Sequence, residues 1–260
     1  MQEVSRREYD APGIPESYAR NTKLLKAEEH ILSYLSDEIK DKAILDIGVG
    51  AGRTVPYLSA HTANYTGIDY SENMLKQCRA KYRNAKLLLC DARNMVTFAD
   101  EAFDTVFSCF NVIDDADHED RNRILKEVRR VLKRNGVFVF STHNLDSNRR
   151  SAYEFRGFVP AQNPIELIKE NGVRVKRYFT GILNHLRNRR NEVQEKSYSI
   201  INDSSHNFRL MTYYIKKEHQ INQLEDVGFS QVEMVAENGA FLSLEQDCHD
   251  GWIYYICRKV

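Results

Sequence analysis

The feature that most constrains this chain lies at residues 43–54, where the apolar run AILDI is followed at once by GVGAGRT. A run of this length reads as a buried strand, and glycines spaced GxGxG directly after it read as a tight turn. Gly48, Gly50 and Gly52 let backbone approach a ligand closely before a helix begins near Arg53. A dinucleotide fingerprint, GxGxxG, would require glycine or alanine at Arg53, so the arginine argues against a pyrophosphate ligand. Asp46, at the strand tip, suits a cationic ligand group better than a phosphate.

Further β-rich runs at 64–68, 86–90, 103–109 and 136–142 alternate with helical patterns, which predicts a mostly parallel, doubly wound α/β sheet. Helical periodicity is clearest at 121–132, where Ile124, Leu125, Val128, Val131 and Leu132 make the apolar stripe and Gly136 fits the stop. Ser71 is placed to cap a helix reaching about residue 82, and an earlier helix is expected over 22–35. In open α/β sheets ligands bind beyond the carboxyl ends of the strands. The second strand ends in Asp69-Tyr70-Ser71, where a carboxylate can accept from both hydroxyls of a ribose. The third ends in Asp91-Ala92, where Asp91 can accept from an adenine amino group and a neighbouring amide can read a ring nitrogen. Three acids at three successive strand tips point to an adenosine ligand, and the loop fits one carrying a sulfonium and an amino-acid tail.

Composition limits the alternatives. Lys plus Arg and Asp plus Glu both number 37, so no global field draws the chain of 260 residues to nucleic acid or to an anionic membrane. No apolar run approaches the roughly 20 residues that span a bilayer, and MQEVSRREYD lacks the apolar stretch of a secretory signal, so a cytoplasmic protein is expected. Cys78, Cys90, Cys109, Cys248 and Cys257 are scattered, with no CxxC pair and no His at zinc-ligand spacing, so reduced thiols and no metal site are expected. After Asn144 a local basic excess appears (Arg149, Arg150, Arg156, Lys169, Arg174, Lys176, Arg177, Arg187, Arg189 and Arg190). Here Asn163-Pro164 reads as a short helix start, and 173–180, 194–201 and 208–215 alternate like antiparallel strands. Residues 145–214 are therefore expected to form an inserted, strand-rich cover. A helix at 216–227, stopped by Gly228, and strands at 231–235 and 252–257 complete the core.

With these motifs in order, the chain resembles the class I (Rossmann-like) S-adenosylmethionine-dependent methyltransferases. The resemblance is dense over 42–144: ILDIGVGAGRT resembles the first motif, GIDYSENML the second, CDARNM the third, FDTVFSCFNVIDD the fourth and EVRRVLKRNGVFVFSTHN the helix and strand that follow. It implies a seven-stranded sheet of order 3-2-1-4-5-7-6 with the last-made strand antiparallel, and S-adenosylmethionine as cofactor with S-adenosylhomocysteine as product. It implies that Gly48, Gly50 and Gly52 line the methionine part, with Asp46 and Tyr70 beside them and Asp69 on the ribose. Asp91 and Ala92 would hold the adenine, Met74 would pack on it, and Phe110 and Asn111 would lie where the sulfonium faces the acceptor. Tyr9 and Tyr18 match a segment that closes over the cofactor. The organisation implied is a helical segment and cofactor lid at 1–40, a core at 41–144 and 215–260, and an acceptor-side cover at 145–214.

The acceptor half is less determined. His143, ending the fifth strand, is a candidate general base, with a structural histidine the competing reading; His206, in the cover, is a second candidate. Asp114, Asp115 and Asp117 would either attract a cationic amine or cap a helix. The basic excess of the cover would suit an anionic acceptor or simply be solvated. No Pro-Pro-Tyr follows Asn111, which weighs against nucleobase or glutamine N-methylation. The expectation is methyl transfer to an oxygen or nitrogen of a small metabolite by a monomer or homodimer with no membrane or nucleic-acid partner. The alternatives are an RNA methyltransferase using the cover's arginines and a silent cofactor-binding subunit of a partner enzyme.

Overall fold

In the computed structural model of the chain, residues 1–148 and 163–260 are described. At its centre β1 (Ile44–Ile47) is buried at every position, because helices cover both faces of a parallel sheet. It pairs in parallel with β2 (Tyr65–Asp69) and with β4 (Phe103–Ser108); β3 (Lys86–Leu89) lies beyond β2, and β5 (Leu132–Asn144) beyond β4. β6 (Val193–Gln194), β7 (Tyr198–Ile201) and β8 (Thr212–Ile215) form a small ladder in the cover. β9 (Phe229–Ala236) and β10 (Phe241–Leu242) form the far edge, and β11 (Trp252–Lys259) runs antiparallel between β5 and β9. The order β3-β2-β1-β4-β5-β11-β9-β10 reproduces the expected 3-2-1-4-5-7-6, with one short hairpin strand added at the edge.

Side chains alternate between two cores. Leu45, Ile47, Phe138, Phe140 and Tyr255 face α7 (His118–Val131) and α9 (Lys217–Val227). Ile44, Val137, Val139 and Tyr254 face the other way, onto a layer that includes α3 (Lys26–Tyr34), α5 (Val55–Leu58) and α6 (Glu72–Lys81). Ahead of these come α1 (Gln2–Tyr9) and α2 (Ile14–Arg20), with the single turn α4 (Ser36–Ile39) leading into β1. Ser71 caps α6 as expected, its hydroxyl accepting from the Met74 amide at 3.1 Å, and Gly228 (φ +94°) ends α9. Gly136 does not stop α7, which ends at Val131. It lies inside β5, where a Cβ would sit 2.8 Å from the Lys133 carbonyl and 2.9 Å from that of Asp104.

The cover departs most from expectation. Residues 173–180, expected as a strand, lie within the long helix α8 (Pro164–Asn188). A short run of alternating β-branched and basic residues satisfies either period, and here the helical one wins because it groups Asn184, His185 and Asn188 on one face. There the Asn184 and Asn188 side-chain amides donate to the Asn207 and Phe208 carbonyls at 3.0 and 2.9 Å, and His185 Nδ1 lies 3.0 Å from Asn202 Oδ1. The other two runs keep their antiparallel pairing but are shorter: 194–201 breaks into β6 and β7, and 208–215 becomes β8 preceded by a 3-10 turn, Ser205–Phe208. β8 joins the main sheet at the tip of β5, pairing Tyr214 with His143 and Ile215 with Asn144.

One buried ion pair ties these parts together. Arg121, fully buried in α7, bonds Asp114 in the 3-10 turn after β4, reaches Gln220 Oε1 of α9 at 2.6 Å, and lies over the Tyr213 ring at 4.6 Å. Removing one partner of such a pair strands a charge in low dielectric, at a cost of about 3–5 kcal/mol, whereas exposed pairs contribute about 1 kcal/mol or less. Arg121→Met is therefore expected to lower the urea-unfolding free energy by about 3 kcal/mol or more, and Arg123→Met, which breaks only exposed pairs, by less than about 1 kcal/mol. Equal losses in the two variants would refute this account of the core.

Candidate active site

The glycine loop leaves β1 with the Gly48 and Val49 amides on the Ile68 carbonyl, at 2.8 and 3.0 Å, which presses it against β2. Gly50 takes a left-handed φ of +54°, and an added Cβ would meet nothing nearer than 3.9 Å, so its face is open. Gly52 serves packing instead: a Cβ there would lie 2.7 Å from the Tyr82 ring and 2.8 Å from Cys78 Sγ. Asp69 accepts from the Gly50 amide on Oδ2 and from the Ser71 amide on Oδ1, both at 2.8 Å. Burial pushes its carboxyl up to about 6 against the lowering effect of those bonds. Asp46 is likewise raised to about 6 by burial, and Thr54 Oγ1 and the Tyr65 hydroxyl donate to its Oδ2 at 2.5 and 2.8 Å.

Over this loop lies a cavity of about 800 Å³. Its roof is made by Tyr9 of α1 and Tyr18 of α2, with His206 of the cover in contact with both rings but off the lining. Tyr9 and Tyr18 meet edge to face at 5.9 Å, and the Tyr9 ring also contacts Tyr70 at 6.3 Å and His206 at 4.9 Å. The Tyr18 hydroxyl and His206 Nε2 are 3.2 Å apart, while His206 Nδ1 faces Glu8 at 3.5 Å and burial lowers the imidazole's basicity. The roof is pinned to α6 by Asp10, whose carboxylate accepts from Ser71 Oγ at 2.6 Å and the Asn73 amide at 3.2 Å. Asp115 closes one wall. The Tyr9 hydroxyl donates to it, and burial pushes its carboxyl up to about 7, with the neighbouring Asp114 adding to the rise. Among the described residues the one cation lining the cavity is Arg53, which is bonded to Glu28 through both terminal nitrogens and rests 4.9 Å from the Phe110 ring.

Phe110 and Asn111 are consecutive left-handed residues (φ +67° and +58°), a conformation that side-chain-bearing residues adopt only when their surroundings enforce it. Here the Asn111 amide donates to Ser141 Oγ at 2.8 Å, and Asn111 Nδ2 lies 3.3 Å from His143 Nε2. His143 Nδ1 in turn sits 2.7 Å from Asp114 Oδ2, so the bonding pattern makes Nδ1 the donor and Nε2 the acceptor. Asn111 Oδ1 and the Tyr70 hydroxyl are buried with no hydrogen-bond partner among the described residues. His143 itself lines a second, more open cleft of about 1150 Å³ together with Lys26, Asp203, Tyr214, Glu237, Trp252 and Tyr254. Phe110, on the first cavity, packs against Trp252, on the second, at 5.0 Å.

Of the residues singled out in the sequence, Tyr9, Tyr18, Asp46, Gly48, Gly50, Asp69, Tyr70, Met74, Phe110 and Asn111 come together on one cavity, and Gly52 stands behind it. Asp91 and Ala92 do not line it. Asp91 is turned onto Arg93, which holds it at 2.7 Å and also bonds Asp120 at 2.6 Å, while Ala92 packs against the core. His143 and His206 face different spaces and share no contact. The cover's charges also fall elsewhere. Arg174, Lys176, Arg177, Arg187, Arg189 and Arg190 lie on α8 and the 3-10 turn after it, away from both linings. Arg149, Arg150 and Arg156 lie outside the described residues, as does the side chain of Lys169. The residues that sequence reasoning did not assign are Asp10, Glu28 and Arg121; only the YD pair at 9–10 stood beside an assigned position.

Asp115 offers a check on this electrostatics. Its folded-state carboxyl lies above the ordinary 3.8, so the folded state holds the proton more tightly, and the stability this gives is lost as pH rises from about 4 through about 7. Asp115→Asn is expected to match the native protein near pH 4 and to exceed it by roughly 2 kcal/mol at pH 8 in urea titrations. A difference that does not change with pH would contradict the burial of this acid.

Residues 45–140 match the model of a family described as a methyltransferase domain. The chain is 33% identical over 104 residues to the demethylmenaquinone methyltransferase of Thermotoga maritima, covering 39% of this chain and 44% of that protein. It is 36% identical over 106 residues to the phosphatidylethanolamine N-methyltransferase of Cereibacter sphaeroides, covering 38% and 50%. It thus spans about half the length of the curated relatives it matches. Among solved structures, the 1,6-didemethyltoxoflavin-N1-methyltransferase of Burkholderia thailandensis superposes with a TM-score of 0.59 at 10% identity, over 99% of this chain and 88% of that one. Among the described residues no helix is long and apolar enough to cross a membrane. Residues 45–140 thus carry a methyltransferase domain, and the sheet order and the likeness to this solved structure show the class I, Rossmann-like fold.

Proposed function

We propose that the chain binds S-adenosylmethionine in the cavity over Gly48–Gly52 and transfers its methyl group to an oxygen or nitrogen of a small molecule. The observation that carries this reading is the convergence on one cavity of an open glycine face at Gly50, the Asp69 carboxylate and two buried polar atoms without partners among the described residues, Tyr70 Oη and Asn111 Oδ1. Those atoms fit a ligand that brings its own donors and acceptors. Gly48, Gly50 and Asp46 would hold the amino-acid part, Asp69 and Tyr70 the ribose, and Met74 the base. The cofactor supplies a methyl group on a sulfonium, which departs as a neutral thioether.

The chain's own work is alignment and exclusion of water, which supply much of the acceleration of an in-line displacement. Tyr9 and Tyr18 roof the space with His206 against their rings, so residues 1–20 serve as a lid, and the described part of the cover, which lines the second cleft, serves as the acceptor-side wall. His206 is spent on Tyr18 and stands near Glu8, which suits a part in holding the roof. His143 holds Asn111 in its left-handed conformation with Oδ1 free toward the cavity, and Asp114 holds His143. His143 is thus a positioning residue in this proposal, and proton removal from an acceptor by His143 is confined to a nucleophile reaching it from the second cleft. The described arginines of the cover lie off both linings, which favours a small acceptor over RNA.

Calorimetry with S-adenosylhomocysteine tests the cofactor site: Asp69→Ala is expected to weaken binding by about tenfold or more, and unchanged affinity would refute the assignment. Transfer of radiolabelled methyl groups into fractionated cell extract would identify the acceptor, and cofactor binding with no transfer to any fraction would mark a silent subunit. For His143, rescue separates the roles. His143→Gln is expected to keep turnover within about tenfold and His143→Ala to lose more, with no shift of the pH profile; loss of one limb of that profile in both variants would make His143 the base.

A further inference from the structure

We propose that the acceptor is a small amine that enters as an ammonium ion and is held between the Asp115 carboxylate and Asn111 Oδ1, inside the rings of Tyr9, Tyr18 and Tyr70. This rests on the methyltransferase reading above and names its substrate class. Among the described residues the charge lining the cavity is anionic: Asp46, Asp69 and Asp115 stand against Arg53, and Arg53 is paired with Glu28. Asp69 has both oxygens on backbone amides, and Asp46 receives Thr54 and Tyr65. Asp115 receives the Tyr9 hydroxyl, and an ionised carboxylate has about four acceptor positions.

A ligand on this wall must bring donors. Asn111 is 6% exposed and its Oδ1 has no partner, and a buried acceptor left unmade costs about 1–3 kcal/mol. An ammonium ion offers several N–H donors, enough for Asp115 and Asn111 together. An alcohol or phenol offers one donor, and a carboxylate offers none and meets like charge. The edge-to-face tyrosines present π faces that attract a desolvated cation. In the reaction the bound nitrogen gives up one proton, to Asp115 or to water. Its lone pair then forms the bond to the methyl carbon while the carbon–sulfur pair stays on sulfur, so the positive charge passes from sulfur to nitrogen.

The groups that face Asp115 are Tyr9 from α1, Tyr18 from α2, Tyr70 after β2, Asp114 beside it, His143 from β5 and Asp203 from the cover. Amine affinity is expected to fall as pH drops and Asp115 takes up a proton. The test is calorimetry at pH 8 on protein saturated with S-adenosylhomocysteine, with n-butylammonium and benzylammonium as probes and 1-butanol, benzyl alcohol and benzoate as their neutral and anionic counterparts. At least one ammonium probe is expected to bind about tenfold or more tighter than its counterparts, and Asp115→Asn to remove that margin while keeping S-adenosylhomocysteine affinity within about threefold. Equal or stronger binding of the alcohols or benzoate would overturn the proposal. So would failure of both ammonium probes on saturated protein, since the cofactor product's own ammonium would then be the group that takes Asp115 and Asn111. Failure of S-adenosylhomocysteine itself to bind would overturn the underlying reading as well.

Discussion

The arrangement depends on a carboxylate that never meets solvent. Asp114 receives the Arg121 guanidinium and the Thr142 hydroxyl on one oxygen and both the backbone amide and Nδ1 of His143 on the other. Two charges in low dielectric are tolerated only where every lone pair and proton is engaged, and here the engagement draws in α7, α9, β5 and the turn after β4. The left-handed pair Phe110–Asn111 follows from it. With His143 fixed by Asp114, Asn111 has a partner at a defined place, and the strain of two unusual backbone conformations is offset within the network.

The same logic separates what holds the fold from what faces the ligand. Asp46 and Asp69 are buried acids whose oxygens are largely taken by the protein, so they shape the loop as well as the ligand's surroundings. Asp115, one residue from Asp114, differs because the Tyr9 hydroxyl is its hydrogen-bond donor and Tyr9, Tyr18 and Tyr70 face it beside Asp114, His143 and Asp203. Adjacent acids in the sequence thus do opposite things: one completes a core and the other gives a cavity its charge.

Much of this was legible in the sequence where short-range chemistry decides the outcome. GVGAGRT after an apolar strand, Ser71 as a cap, Gly228 as a stop and the strand tips at Asp69 and Asn111 all follow from local rules, and they led to the cavity. Long-range competition hid the rest. Asp91 stands at the expected strand tip, yet Arg93, two residues on, takes its carboxylate. The 173–180 run alternates as a strand would, yet it lies in a helix whose later residues, Asn184, His185 and Asn188, bond to residues 202–208. The burial of Arg121 carries no local mark, because its partners at 114, 142, 213 and 220 are scattered along the chain.

The roof of the cavity has a consequence for pace. Tyr9 meets Tyr18 and His206 edge to face, Tyr18 and His206 stack at 6.2 Å and share one 3.2 Å polar contact, and among the described residues no sheet ladder crosses between them. Parting them breaks little, whereas the walls below are tied into strands and a buried ion pair. Under the proposed function, opening of this roof would admit the cofactor and release its product, which couples turnover to that motion.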